Sequence, residues 1–162
     1  MLSFNRRTLL WMPLALSACG FVPAYGPEAP ATGLAGTIRI ADPSDKNAFD
    51  LVQRLEERLG RPQAVRYDLT YVIKTAATGV GITPDNAITR FNLNGTIDWA
   101  LIDRTSGARV TGGLVQSFTA WSATGSTVAG LTAEQDASLR LMRLLADQIV
   151  TRIIASAGDW AQ

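Results

Sequence analysis

The chain of 162 residues has no histidine and a single cysteine, Cys19. The missing histidine removes Ser-His-Asp and Cys-His catalysis and every histidine-ligated metal, and one cysteine can form neither structural zinc nor an internal disulfide. Blocks of like charge, basic tails and low-complexity tracts are absent as well, which argues against a nucleic-acid partner. Paired carboxylates are also missing: Asp98 and Asp103 are five residues apart on one expected strand and so face opposite ways, while Glu56 and Glu57 lie in a helical charge run. No cofactor motif stands out, since Gly79-Val80-Gly81 is a G-x-G with no helix behind it. These absences point away from an enzyme. Long apolar runs are lacking too; the apolar-biased stretch at residues 8–16 is far short of the roughly 20 residues that a membrane-spanning helix needs.

What is present at the start is a secretory pattern. Arg6 and Arg7 precede the short apolar run, which closes on Leu16-Ser17-Ala18-Cys19. That ending resembles the lipobox of bacterial lipoproteins. The resemblance implies that residues 1–18 are removed and that Cys19 becomes the N-terminus, carrying an S-diacylglycerol and an N-palmitoyl chain. Each buried CH₂ contributes roughly 0.8 kcal/mol, and more than one chain is needed for stable anchoring, so a tri-acylated cysteine suffices. The paired arginines suit both general and twin-arginine export. Phe21, rather than aspartate, at the second position after Cys19 favours the outer membrane. The remaining chain is of single-domain length and carries 13 basic against 14 acidic residues.

Residues 19–36, with Pro23, Gly26, Pro27, Pro30, Gly33 and Gly36, read as a tether. A domain is expected over 37–157, with a tail at 158–162. Residues 37–41 form a short strand, and a helix follows with Asp42 as N-cap, Pro43 at its first position and Gly60 beyond its end. Residues 65–75 alternate, Val65, Tyr67, Leu69, Tyr71 and Ile73 against Arg66, Asp68, Thr70, Val72 and Lys74. A loop is expected at 76–86. Residues 87–103 alternate again, Phe91, Leu93, Ile97, Trp99 and Leu101 against Arg90, Asn92, Asn94 and Asp98. A turn at Thr105-Ser106-Gly107 leads to a fourth strand, 110–122, in which Gly112-Gly113 suggests a bulge or a close backbone approach. The last helix is expected from a capping box at Thr132 and Gln135 to about residue 155. Its apolar face is Leu141, Leu144, Leu145, Ile149 and Ile153, and Asp136 and Arg140 are placed to pair on the polar side; Trp160, in a frayed tail, either packs back or meets a partner. The order β-α-β-β-β-α defines an α+β two-layer sandwich, with two amphipathic helices on one face of a four-stranded, mostly antiparallel sheet. The sheet's other face is polar and meets either solvent or a partner.

Cys19-Gly20-Phe21-Val22-Pro23-Ala24-Tyr25-Gly26 resembles the Cys-Gly-Phe-Arg-Pro-Leu-Tyr-Gly opening of alphaproteobacterial lipopolysaccharide-assembly lipoproteins, the LptE family; Val22 and Ala24 depart from it. Ala41-Asp42-Pro43 with Asn47-Ala48-Phe49, residues 122–129, and Ala133-Glu134-Gln135-Asp136-Ala137 are similar in the same order. The resemblance implies two helices on a four-stranded sheet and no catalysis. It further implies an outer-membrane lipoprotein that inserts into the barrel protein LptD as plug and assembly factor while lipopolysaccharide passes outward. A polar sheet face fits a barrel lumen. Phosphates and acidic sugars of lipopolysaccharide suit arginine forks, and Arg90, Arg104 and Arg109 are candidate contacts, ordinary solvated arginines being the alternative. An auxiliary lipoprotein of another envelope lipid-transport complex is the competing reading.

Overall fold

The computed structural model describes residues 33–84, 87–123 and 127–161. Six elements follow one another: β1 (Ile38–Ile40), α1 (Lys46–Leu59), β2 (Tyr67–Ile82), β3 (Ile88–Asp103), β4 (Arg109–Ser122) and α2 (Thr127–Trp160). The strands lie in the order β1-β2-β3-β4, with β1 parallel to β2 and the other pairs antiparallel. A parallel pair requires a crossover, and α1 provides it. The expected α+β sandwich is the observed one.

The alternation of β3 sorts the sheet into two faces. Leu93, Ile97, Trp99 and Leu101 are buried beneath the helices, together with Tyr67 and Leu69 of β2 and Val115 and Trp121 of β4. Leu51, Leu55 and Leu59 of α1 and Leu141, Met142, Leu145, Ile149, Val150 and Ile153 of α2 close the core from the other side. Gly95 lies among the apolar positions of β3, where a Cβ would come within 2.8 Å of Leu141 Cδ2 and 3.1 Å of Leu145 Cδ1. The missing side chain is what lets α2 settle on the sheet. Between the helices, Arg54 grips Asp147 with two bonds, Nε to Oδ1 and Nη2 to Oδ2, both 3.1 Å.

α2 also closes one edge of the sheet. Arg140, Gln148 and Arg152 donate to the outward carbonyls of Ala120 (3.3 Å), Gln116 (3.1 Å) and Leu114 (2.8 Å) on β4. Without these donors, β4 would present a bare edge.

Several boundaries differ from the sequence expectation, each for a physical reason. The N-cap of α1 is Asp45, not Asp42: Asp45 has an extended backbone and its carboxylate accepts from the Ala48 N–H at 2.8 Å, so Pro43 precedes the helix. The end at Gly60, with φ of 81°, is as expected. The segment expected as a loop at 76–86 is strand as far as Ile82, paired with β3 from Ala76↔Asn94 to Gly79↔Phe91. Thr75, Ala76, Ala77 and Thr78 are all exposed, because the hairpin overhangs the helix layer. With neither face buried there, no alternation marks the strand.

α2 starts at Thr127, inside a β-branched and glycine-containing stretch of weak helix formers. Thr132 is therefore interior to the helix, and its hydroxyl donates to the Val128 carbonyl at 3.0 Å instead of capping. Leu144 is half-exposed rather than part of the buried stripe. The helix continues through the stretch expected as a tail, to Trp160, whose ring meets Tyr67 edge-on at 5.0 Å between centroids. The end of the expected tether is likewise docked: Leu34 is buried, and the Gly36 N–H donates to the Leu59 carbonyl at 3.0 Å.

Two glycine substitutions should act in opposite directions. Gly95→Ala forces the fully buried Leu141 and Leu145 to move and is expected to lower stability by about 1–3 kcal/mol. Gly130→Ala, in α2 with nothing near the new methyl group, is expected to raise it by about 0.5–1 kcal/mol. Urea unfolding of the two variants checks both signs.

Candidate functional site

The sheet face turned away from the helices is built in cross-strand rows. Val72, Asp98 and Leu114 form one row, Lys74, Thr96 and Gln116 the next, and Ala76, Asn94 and Phe118 a third. The polar character expected of this face is interrupted by three large apolar side chains: Val72, Leu114 and Phe118 are 60%, 54% and 64% exposed. A shallow depression of about 360 Å³ lies beside Phe118, between Asn94, Thr96 and Gln116. Three scattered apolar groups in a polar field suit contact with another macromolecule better than enclosure of a small ligand.

One end of this face is basic. Arg39 Nε lies 2.8 Å from Asp68 Oδ1, and Arg104 Nε lies 3.5 Å from Asp68 Oδ2. Arg66 Nε approaches Asp103 Oδ2 at 3.8 Å, and its guanidinium sits 5.2 Å from the Tyr67 ring centre. Three arginines thus share two carboxylates. The parallel register Arg39↔Asp68 makes the cluster possible. In sequence, each residue is merely the polar member of an alternating pair, and only the adjacency of β1 and β2 joins them.

Asp103 has a second task, fastening the β3–β4 turn. Its Oδ1 accepts from the N–H groups of Thr105 and Ser106, both at 2.8 Å, and from the Ser106 hydroxyl at 3.1 Å. These bonds, the Ser106 N–H foremost, hold its carboxyl below the usual value of 3.8, and Arg66 adds to the effect. Tyr71, near the other end of the β1–β2 contact, has its phenol pushed up by burial and then by Asp45 and Asp42.

The three arginines named from the sequence do not form one site. Arg104 is committed to Asp68. Arg109 folds back over Gly112 and donates to the Trp99 carbonyl at 3.4 Å. A Cβ on Gly112 would lie 2.5 Å from that carbonyl, so the close approach expected at Gly112-Gly113 is real. Arg90 lies at the far end of β3, thirteen residues before Asp103 and hence roughly 40 Å away along the strand. It is exposed and makes no ion pair among the described residues. Cys19 and the tether as far as residue 32 lie outside the described residues. A second concavity, of about 340 Å³, was not anticipated. Lys46 and Asn47 of α1, Thr75 and Leu93 of the overhanging hairpin, and Leu131, Glu134, Gln135 and Ser138 of α2 line it. Among the described residues no helix is long and apolar enough to cross a membrane.

A short parallel strand, a crossover helix, a three-strand meander and one long return helix define the class of two-layer α+β proteins found among bacterial envelope lipoproteins. A lipoprotein of Caulobacter crescentus superimposes with a TM-score of 0.64 at 20% identity, over 80% of this chain and 96% of its own. Rare lipoprotein B of Shewanella oneidensis gives 0.58 at 9%, over 78% and 98%. A minor lipoprotein of Acinetobacter baumannii gives 0.55 at 16%, over 75% and 93%. No curated protein matches the chain by sequence. The family model LptE, lipopolysaccharide-assembly, matches residues 35–153, and the chain belongs to that family.

The depressed Asp103 carboxyl predicts an acid signature. A group whose folded value lies below its unfolded one contributes stability that is complete above the unfolded value and is lost as pH falls through the folded one. Wild type should therefore lose stability below about pH 4 more steeply than Asp103→Asn. An NMR titration should place the Asp103 midpoint below 3.8, with the Thr105 and Ser106 amides moving alongside.

Proposed function

We propose that the chain is an outer-membrane lipoprotein, anchored through acylated Cys19, that complexes with the barrel protein LptD. There it acts as plug and assembly factor in delivering lipopolysaccharide to the outer leaflet. Membership of the LptE family supports the process. The observation that carries the docking role is the uncovered sheet face. The helices cover the core of the other face, so this one is free to meet a polar barrel wall with hydrogen-bonding groups and the protruding Val72, Leu114 and Phe118. No reaction is required of it. The chemistry is recognition, and the anchor's contribution is to hold the domain at the membrane at high local concentration.

The test is recovery of partners. A C-terminally tagged chain extracted from the outer membrane in mild detergent should bring down one large barrel protein in one-to-one ratio. Recovery with inner-membrane transport components instead would refute the reading and favour an auxiliary lipoprotein of another lipid-transport complex.

Direct contact with lipopolysaccharide falls to Arg90 under this reading, since Arg104 and Arg109 are already engaged within the chain. In a titration with purified lipopolysaccharide, Arg90→Ala is expected to weaken binding about threefold to tenfold, as for one charge-assisted contact. The Arg104→Ala/Arg109→Ala double variant should bind like wild type.

A further inference from the structure

The two edges of the sheet are treated differently. Side chains of α2 occupy the outward carbonyls of β4, but β1 covers β2 only from Tyr67 to Leu69. From Tyr71 onward β2 has no neighbouring strand on that side among the described residues. The orientation of its backbone follows from two bonds: the Leu69 carbonyl accepts from Ala41 on the β1 side, while the Arg66 carbonyl accepts from Arg104 on the β3 side. Backbone groups alternate along a strand, so the N–H and C=O of Tyr71, Ile73, Thr75 and Ala77 all point out of the sheet. The pairing with β3 is unbroken across these residues. No proline lies in this stretch, and its one charge is Lys74; native edges are normally blunted more heavily.

We infer that this edge receives an extended segment of the barrel partner as a fifth strand, an inference that rests on the docking reading above. Only an extended backbone offers donors and acceptors at the spacing of four alternate residues. The surroundings specify its side chains. On the helix side of the edge lies the 340 Å³ cleft, lined by Thr75 of this edge together with the apolar Leu93 and Leu131. Alternate residues of the incoming strand face that cleft, and one of them is apolar. On the opposite face stands Lys74, exposed and without an ion pair among the described residues. The incoming residue across from it is acidic. A second copy of this chain fits poorly: antiparallel pairing centred on the open stretch sets Lys74 directly against Lys74 of the copy, and like charges in that position repel.

The full-length chain is co-produced with the barrel, and backbone hydrogen exchange is measured for the free chain and the purified complex. The amides of Tyr71, Ile73, Thr75 and Ala77 are expected to exchange freely in the first and at least about tenfold more slowly in the second. Ala77→Pro removes an N–H that β3 does not use, and should retain the circular dichroism of wild type yet yield little complex. Lys74→Glu leaves every backbone bond intact and should weaken the complex about tenfold; it decides the matter if the proline variant does not fold. Equal exchange at these amides in both states overturns the fifth strand while leaving the barrel complex standing. Protection already present in the isolated chain also overturns it, assigning the edge to the chain's own N-terminal residues or to a second copy. Failure of wild type to recover the barrel removes the docking reading and the inference together.

Discussion

The packing of α2 across β3 and β4 is the constraint on which the fold depends. A helix of 34 residues spans about 50 Å, enough to run the length of the sheet and to serve three purposes at once. Its apolar stripe supplies a large share of the buried core, its polar flank satisfies the outer edge of β4, and Asp147 ties it to α1. Each depends on close approach. Gly95 makes that approach possible, because any side chain there would stand between Leu141 and the sheet. With no disulfide available, packing and hydrogen bonding carry the whole of the stability.

A consequence of putting both helices on one face is that the other must be finished by something else. A sheet of mixed character, with apolar groups protruding among threonines, asparagines and single charges, is stable in water and still able to bind. The basic end adds a second property. Arg39, Arg66 and Arg104 are held by Asp68 and Asp103 in a partly screened cluster, which fixes their positions without cancelling their charge. The arrangement suits contact with a macromolecule.

Much of this was legible in the sequence wherever burial imposed a period. The alternation of Phe91, Leu93, Ile97, Trp99 and Leu101 identified both the strand and its buried face, and Gly60 marked the end of α1. The reading lost accuracy where burial imposes nothing. The overhanging part of β2 is exposed on both sides and so has no period. The first turn of α2 carries valine and glycine, and a capping pattern five residues downstream was more conspicuous than the true start. Asp42 before a proline imitated an N-cap better than Asp45 did. For the site, charge and residue type named Arg90, Arg104 and Arg109 as candidate lipopolysaccharide contacts. The carbonyl of Trp99 beside Arg109 and the carboxylate of Asp68 beside Arg104 are distant in the chain, and only the register of the sheet brings them near.

The edge-on meeting of Tyr67 with Trp160 bears on the timing of folding. The first residue of β2 is fastened by the last residue of α2, and the chain is made from N- to C-terminus. Until α2 has been delivered, Trp99 and the leucines of α1 lack their cover and β4 has a bare edge, and Tyr67 waits for the final turn. The domain therefore cannot close its core before α2 is available. Whatever attends the emerging chain must shield an open apolar sheet until α2 has emerged.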